Sequence, residues 1–116
     1  DVYKAIRRHF NPLQEEFFLL PTQGQEILIE KLFVGGLDNA NGDPKIIFHK
    51  LLTKYPNCAG FFIAHNHPSG NVEPSGCDVS ITDKIKLGGV LLDCKLIDHI
   101  IFSNRGYFSF ADAGKL

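Results

Sequence analysis

Cys58-Ala59-Gly60-Phe61-Phe62-Ile63-Ala64-His65-Asn66-His67-Pro68-Ser69-Gly70-Asn71-Val72-Glu73-Pro74-Ser75-Gly76-Cys77-Asp78 is the segment on which the fold turns. Its first seven residues are apolar or small on both alternating faces, as in a central strand covered by two layers. His65 to Pro74 is rich in Pro, Gly and Asn and reads as a loop. Ser75 then opens a helix predicted to run to about Lys86, before Gly88-Gly89. The order strand, loop, helix places the two histidines where an apolar strand ends, a common position for ligand sites in sheet proteins.

Upstream of that segment, Asp1 is an N-cap for a first helix carrying Val2, Ala5, Ile6 and Phe10 at helical spacing. Glu16-Phe-Phe-Leu-Leu20 reads as a buried strand, Pro21-Thr-Gln-Gly24 as a turn, and Glu26 to Phe33 as an antiparallel partner. Gly35-Gly36 ends it, and a loop over Asp38 to Asp43 follows. Asp43-Pro44 starts a helix whose inner face is Ile46, Ile47, Leu51, Leu52 and Tyr55. Downstream, Leu91 to Phe102 is a long strand, Asn104-Arg-Gly106 a turn, and Tyr107 to Phe110 a short strand. The order α-β-β-α-β-α-β-β predicts an α/β (α+β) fold with a mixed sheet flanked by helices.

With 116 residues, 44% hydrophobic and 22% charged, the chain fits one globular domain over 1–116. It opens at Asp1 rather than Met and reads as the C-terminal part of a longer chain. No apolar run is long enough to span a membrane, and no signal peptide is visible. Three cysteines without paired spacing argue against a disulfide framework and for the cytoplasm. The net charge is −1, and Lys4, Arg7 and Arg8 read as a solvated helix face, so composition makes no case for nucleic-acid binding. It carries no signal for an oligomeric state.

Residues two apart on a strand point to one side, so His65 and His67 can offer two imidazoles to one ion. Asp78 can return a carboxylate from the helix. Two imidazoles and a carboxylate leave the fourth position of zinc open for water, the arrangement of a catalytic site. Each part has an ordinary reading too: His65 and His67 as loop histidines, and Ser75-x-x-Asp78 as a helix-capping pattern that can coexist with metal binding. His99, among apolar neighbours, reads as a hydrogen-bonded core histidine ahead of a partner to a ligand. Cys77 diverges in direction from Asp78, and His9 and His49 lie on helix faces.

His65-x-His67-Pro68, six residues, then Ser75-x-x-Asp78 resembles the JAMM motif of JAB/MPN-type zinc metalloproteases. The fuller string His-Asn-His-Pro-Ser-Gly with its later Pro-Ser is similar to the bacterial RadC family in particular. The likeness extends to Glu15-x-Phe17, Phe33-Val-Gly-Gly-Leu37, Leu96-Ile-Asp-His-Ile-Ile-Phe102 and Tyr107-Phe-Ser-Phe110. It implies the JAB/MPN (cytidine-deaminase-like) architecture, with one zinc on His65, His67 and Asp78. It further implies Glu15 as general base, with Glu16 in reserve, and Ser75 steadying the oxyanion; without it Glu15 ranks level with Glu26 and Glu30. The activity implied is hydrolysis of an amide or isopeptide bond in a peptide or protein substrate. The chain departs from the pattern in a shorter first hairpin and in Gly42-Asp43-Pro44. Nucleobase deamination, which uses His-x-Glu and Pro-Cys-x-x-Cys, does not fit. The other alternative is a non-catalytic binding module linked to DNA repair or recombination.

Overall fold

The computed structural model describes residues 2–34 and 44–116. The expected cap at Asp1, the strand end at Gly35-Gly36, and the loop and cap from Asp38 to Asp43 lie outside the described residues. The elements are α1 (Val2–Ile6), β1 (Glu16–Gln23), β2 (Glu26–Ile27), β3 (Glu30–Val34), α2 (Pro44–Lys54), β4 (Gly60–Asn66), α3 (Gly76–Leu91), β5 (Lys95–Ser103) and β6 (Gly106–Ser109). The sheet order is β2-β1-β4-β5-β6, with β3 also pairing β1. β4 runs antiparallel to β1 and parallel to β5, so the sheet is mixed. α3 is the crossover that a parallel β4–β5 pair needs.

Alternation along the strands splits the interior into two layers. Phe17, Leu19, Phe61, Ile63 and Leu96 meet Ile47 and Leu51 of α2 and Ile85 of α3. Phe18, Leu20, Ala64, Ile100 and Phe102 face the other way, against Ile6 of α1. β4 is buried on both faces, as its unbroken apolar run predicts.

Several boundaries differ from the sequence reading. β1 continues through Pro21 to Gln23, because the Pro21 carbonyl still accepts the Leu28 N–H (2.9 Å); the reversal falls at Gly24, whose φ of 63° suits glycine. The expected Glu26–Phe33 strand is split between β2 and β3. The inner face of α2 is narrower than expected: Ile47 and Leu51, one turn apart, are buried, while Ile46 and Leu52 are exposed. β4 keeps pairing past Ala64 and so includes His65 and Asn66.

The largest correction concerns Gly88-Gly89, which do not end α3. The helix passes through both glycines to Leu91, and β5 begins only at Lys95. A Cβ on Gly89 would stand 2.4 Å from the Cys94 carbonyl oxygen, so glycine is there to let α3 lie against the start of β5. The chain instead leaves the helix through Asp93, at φ 54°.

Candidate metal centre

β4 delivers His65 on the same face as Phe61 and Ile63, beneath α3. The following residue, Asn66, is buried, and its amide oxygen accepts the Glu16 N–H (2.7 Å) while its amide nitrogen donates to the Gln14 carbonyl (2.9 Å). Asn66 thereby fastens the chain just before β1 to the end of β4, and Glu15 is the residue held between those two bonds. In the β1–β4 register Phe17 pairs with His65, so Glu15 lies beside His67. Carboxylate and imidazole atoms of Glu15, His65 and His67 gather within 4.8 Å of one another.

His67 follows the strand directly, its N–H still donating to the Phe102 carbonyl (3.1 Å). A tight turn follows, in which Gly70 at φ 90° donates its N–H to the His67 carbonyl. The turn brings the Asn71 carbonyl back to accept from His67 Nδ1 at 2.8 Å. A carbonyl only accepts, so Nδ1 carries a hydrogen and Nε2 is the His67 nitrogen turned inward.

Asp78 completes the group from the first turn of α3. Ser75 and Asp78 form a capping box: Ser75 Oγ accepts the Asp78 N–H (3.1 Å), and Asp78 Oδ2 accepts the Ser75 N–H (2.8 Å). The cap thus aims the carboxylate. Its Oδ1 lies 3.3 Å from His65 Nε2 and its Oδ2 3.4 Å from His67 Nε2, while the two Nε2 atoms are 3.1 Å apart. Burial alone would raise the Asp78 carboxyl, but His65, His67 and the Ser75 N–H outweigh it and hold the group well below the usual carboxylate range. The Asp78 carboxylate raises His67 against an opposing effect of burial, and the Asn71 carbonyl adds to the rise.

These separations suit a metal. Tetrahedral zinc with ligands at 2.0–2.1 Å needs ligand atoms about 3.3–3.4 Å apart. The two imidazole nitrogens lie 3.1 Å apart, and the Asp78 carboxylate meets them through different oxygens, Oδ1 at 3.3 Å from His65 and Oδ2 at 3.4 Å from His67, so all three groups lie near that spacing.

Of the residues singled out from sequence, the structure brings His65, His67, Asp78 and Glu15 together and sets Ser75 at the rim, exposed, with its hydroxyl hydrogen uncommitted by the cap. Glu16 is placed elsewhere, buried against Lys31 (2.6 Å) and the Asn11 N–H (2.7 Å). Glu26 is exposed on β2, and Glu30 pairs with Lys54 and Tyr55. Cys77 is exposed beside the site.

His99 is a buried histidine with hydrogen-bonded ring nitrogens, as expected, but its partner is a ligand candidate. Nε2 of His99 lies 2.9 Å from His65 Nδ1, and Nδ1 lies 2.6 Å from the hydroxyl of Thr82 on α3. Burial, and next the adjoining His65, push the His99 imidazole well below its ordinary range. A bulge aims it. The β4–β5 register runs Phe61 with Leu96, then Phe62 with Asp98, skipping Ile97. The skip turns His99 into the layer of Ile63 and His65, and Asp98 takes up the His99 N–H (2.7 Å). Gly60 makes room, since a Cβ there would lie 2.8 Å from Ile97. Sequence reasoning missed Thr82 and Asn66; Thr82 could have been found as the residue one helical turn beyond Asp78.

Comparison with known proteins adds to this geometry. A family model described as the RadC-like JAB domain matches residues 1–115. A UPF0758 protein of Coxiella burnetii is 38% identical over 115 residues, covering 99% of this chain and 50% of the relative. A UPF0758 protein of Porphyromonas gingivalis is 39% identical over 118 residues, covering 98% and 51%. One from Thermotoga maritima is 41% identical over 85 residues, covering 73% and 37%. The chain spans about half the length of the first two.

Proposed function

The chain belongs to the RadC-like JAB domain family, and from that premise we propose that it is a zinc-dependent hydrolase cleaving amide or isopeptide bonds in a peptide or protein substrate. The observation that carries the reading is the convergence of His65, His67 and Asp78, their nitrogen and oxygen atoms 3.1–3.4 Å apart, with Glu15 alongside. His65, His67 and Asp78 would hold the ion. When bound, zinc supplies a Lewis acid that lowers the pKa of water toward about 7.

Glu15 would take the proton from a water as its oxygen attacks the substrate carbonyl carbon, and would hand that proton to the nitrogen as the C–N bond breaks. Ser75, whose hydroxyl hydrogen the cap does not use, would donate to the carbonyl oxygen as it gains charge. A cavity of about 150 Å³ lined by His67, Ser69, Asn104 and Arg105, among others, offers polar groups to a substrate beside the site. No helix among the described residues is long and apolar enough to cross a membrane. The free thiols of Cys58, Cys77 and Cys94 support a reducing compartment, the cytoplasm.

The test pairs elemental analysis with hydrolysis of a peptide and isopeptide panel. Wild type and Glu15→Gln should each retain one zinc per chain, while His65→Ala/His67→Ala retains none. Glu15→Gln should turn over about 10²- to 10⁴-fold more slowly. Zinc retained by the double variant refutes the ligand set, and zinc lost from Glu15→Gln makes that residue a ligand rather than a base. A zinc-loaded wild type that cleaves nothing returns the non-catalytic binding module.

A further inference from the structure

We propose that Thr82 and His99 act as a tautomer lock that keeps the Nε2 lone pair of His65 turned toward the metal position. This rests on the zinc reading of His65, His67 and Asp78, and goes beyond it by giving two buried residues behind the site a positioning role.

Thr82 and His99 are fully buried. The Thr82 hydroxyl lies 2.6 Å from the Asp78 carbonyl oxygen, one helical turn back. A carbonyl only accepts, so the single hydroxyl hydrogen is used there. The contact of 2.6 Å between Thr82 Oγ1 and His99 Nδ1 then requires an N–H on Nδ1. With that hydrogen on Nδ1, His99, fully buried and stacked on the Phe110 ring, presents a lone pair at Nε2, and the 2.9 Å contact to His65 requires an N–H on His65 Nδ1. His65 Nε2 is left as the nitrogen turned to the site, 3.3 Å from Asp78 Oδ1 and 3.1 Å from His67 Nε2. Reversing every hydrogen in the chain puts one on His65 Nε2, where an ion would have to displace it. The Asp78 carbonyl decides between the two arrangements, so the residue that supplies a carboxylate to the site also orients the imidazole beside it through its backbone. His67 reaches the same tautomer independently, through Asn71.

The test is Thr82→Val, which keeps the shape and removes the hydroxyl, with Thr82→Ser as rescue. Zinc affinity, measured by chelator competition, should fall about 10- to 100-fold in Thr82→Val, the usual effect of losing a partner behind a metal-bound histidine, and return in Thr82→Ser. Histidine nitrogen–proton correlation spectra of the metal-free protein should show the His99 hydrogen on Nδ1 in wild type and shifted toward Nε2 in Thr82→Val. Unchanged tautomers in Thr82→Val overturn the lock, as does a zinc affinity within twofold of wild type. The spectra need no zinc, so a wild type that fails to bind zinc would refute the hydrolase reading and still leave the lock to be judged. A Thr82→Val chain that does not fold is replaced by Thr82→Ala, judged by the same two measurements.

Discussion

Replacing Gly89 by alanine isolates the contact that seats α3 on the sheet. The added methyl would stand 2.4 Å from the Cys94 carbonyl oxygen and 3.3 Å from the Leu96 nitrogen, both backbone atoms. An ordinary carbon–oxygen contact is about 3.3 Å or more, so the helix and the start of β5 must separate by about 1 Å. Overpacking of that kind costs about 1–3 kcal/mol, while glycine to alanine in a helix returns about 0.5–1 kcal/mol. The net expectation is a loss of up to about 2.5 kcal/mol, a drop of up to roughly 10 °C for a domain of this size. Gly88→Ala is the control: its methyl meets the Phe48 ring, nearest at Cε2 and Cζ (2.7 and 2.9 Å), and a ring edge can swing aside. Its melting temperature should stay close to wild type. Gly89→Ala should also weaken zinc binding, because α3 carries Asp78 and Thr82 while β5 carries His99. Thermal melts of the metal-free proteins and chelator competition measure both effects. Gly89→Ala melting at or above Gly88→Ala would refute the close-approach argument.

Ser75→Ala removes the acceptor for the Asp78 N–H and should cost about 1 kcal/mol as a lost helix cap; zinc content should hold, because the Ser75 N–H still aims the carboxylate, while turnover falls about a hundred- to a thousandfold. Glu30→Gln should lower the melting temperature at neutral pH and not in acid. Although burial opposes it, Lys54, Tyr55 and Lys50 hold the Glu30 carboxyl below its ordinary 4.5, so its stabilisation is present above that pH and lost as pH falls through the lower folded value. A difference between the two proteins that persists at pH 2 would contradict this. In thiol labelling, exposed Cys77 should react first and Cys94 last, since burial, together with Cys58, pushes its thiol up to about 12; Cys77→Ala should leave zinc content unchanged.

The ligand candidates were legible because their placement depends on local rules. Alternation along an apolar strand puts His65 with Phe61 and Ile63, and a four-residue capping pattern puts Asp78 at a helix start facing back toward the strand. Glu15 was legible only through resemblance. Its location depends on Asn66 tying Gln14 and Glu16 to the end of β4, a bond between residues some fifty positions apart that no periodicity announces.

What supports the site from behind was hidden for a different reason: its signals resemble defects. Strict alternation from Leu96 puts Asp98 in the layer of Ile63 and His99 in the opposite one; the skipped Ile97 inverts that assignment. A glycine pair after Lys86 carries the ordinary meaning of a helix end, yet α3 runs on because Gly89 lies against Cys94. Thr82 looks like any helical threonine bonding one turn back until the residue opposite it is known. These three features belong to one seam. Without the bulge His99 would face the other layer, and with a side chain at position 89 the helix would stand off from β5. Either change would break the 2.6 Å contact between Thr82 and His99. The apparent faults in strand and helix are therefore the condition for the hydrogen-bond chain behind His65, and a variant that made either element more regular should loosen the candidate metal site.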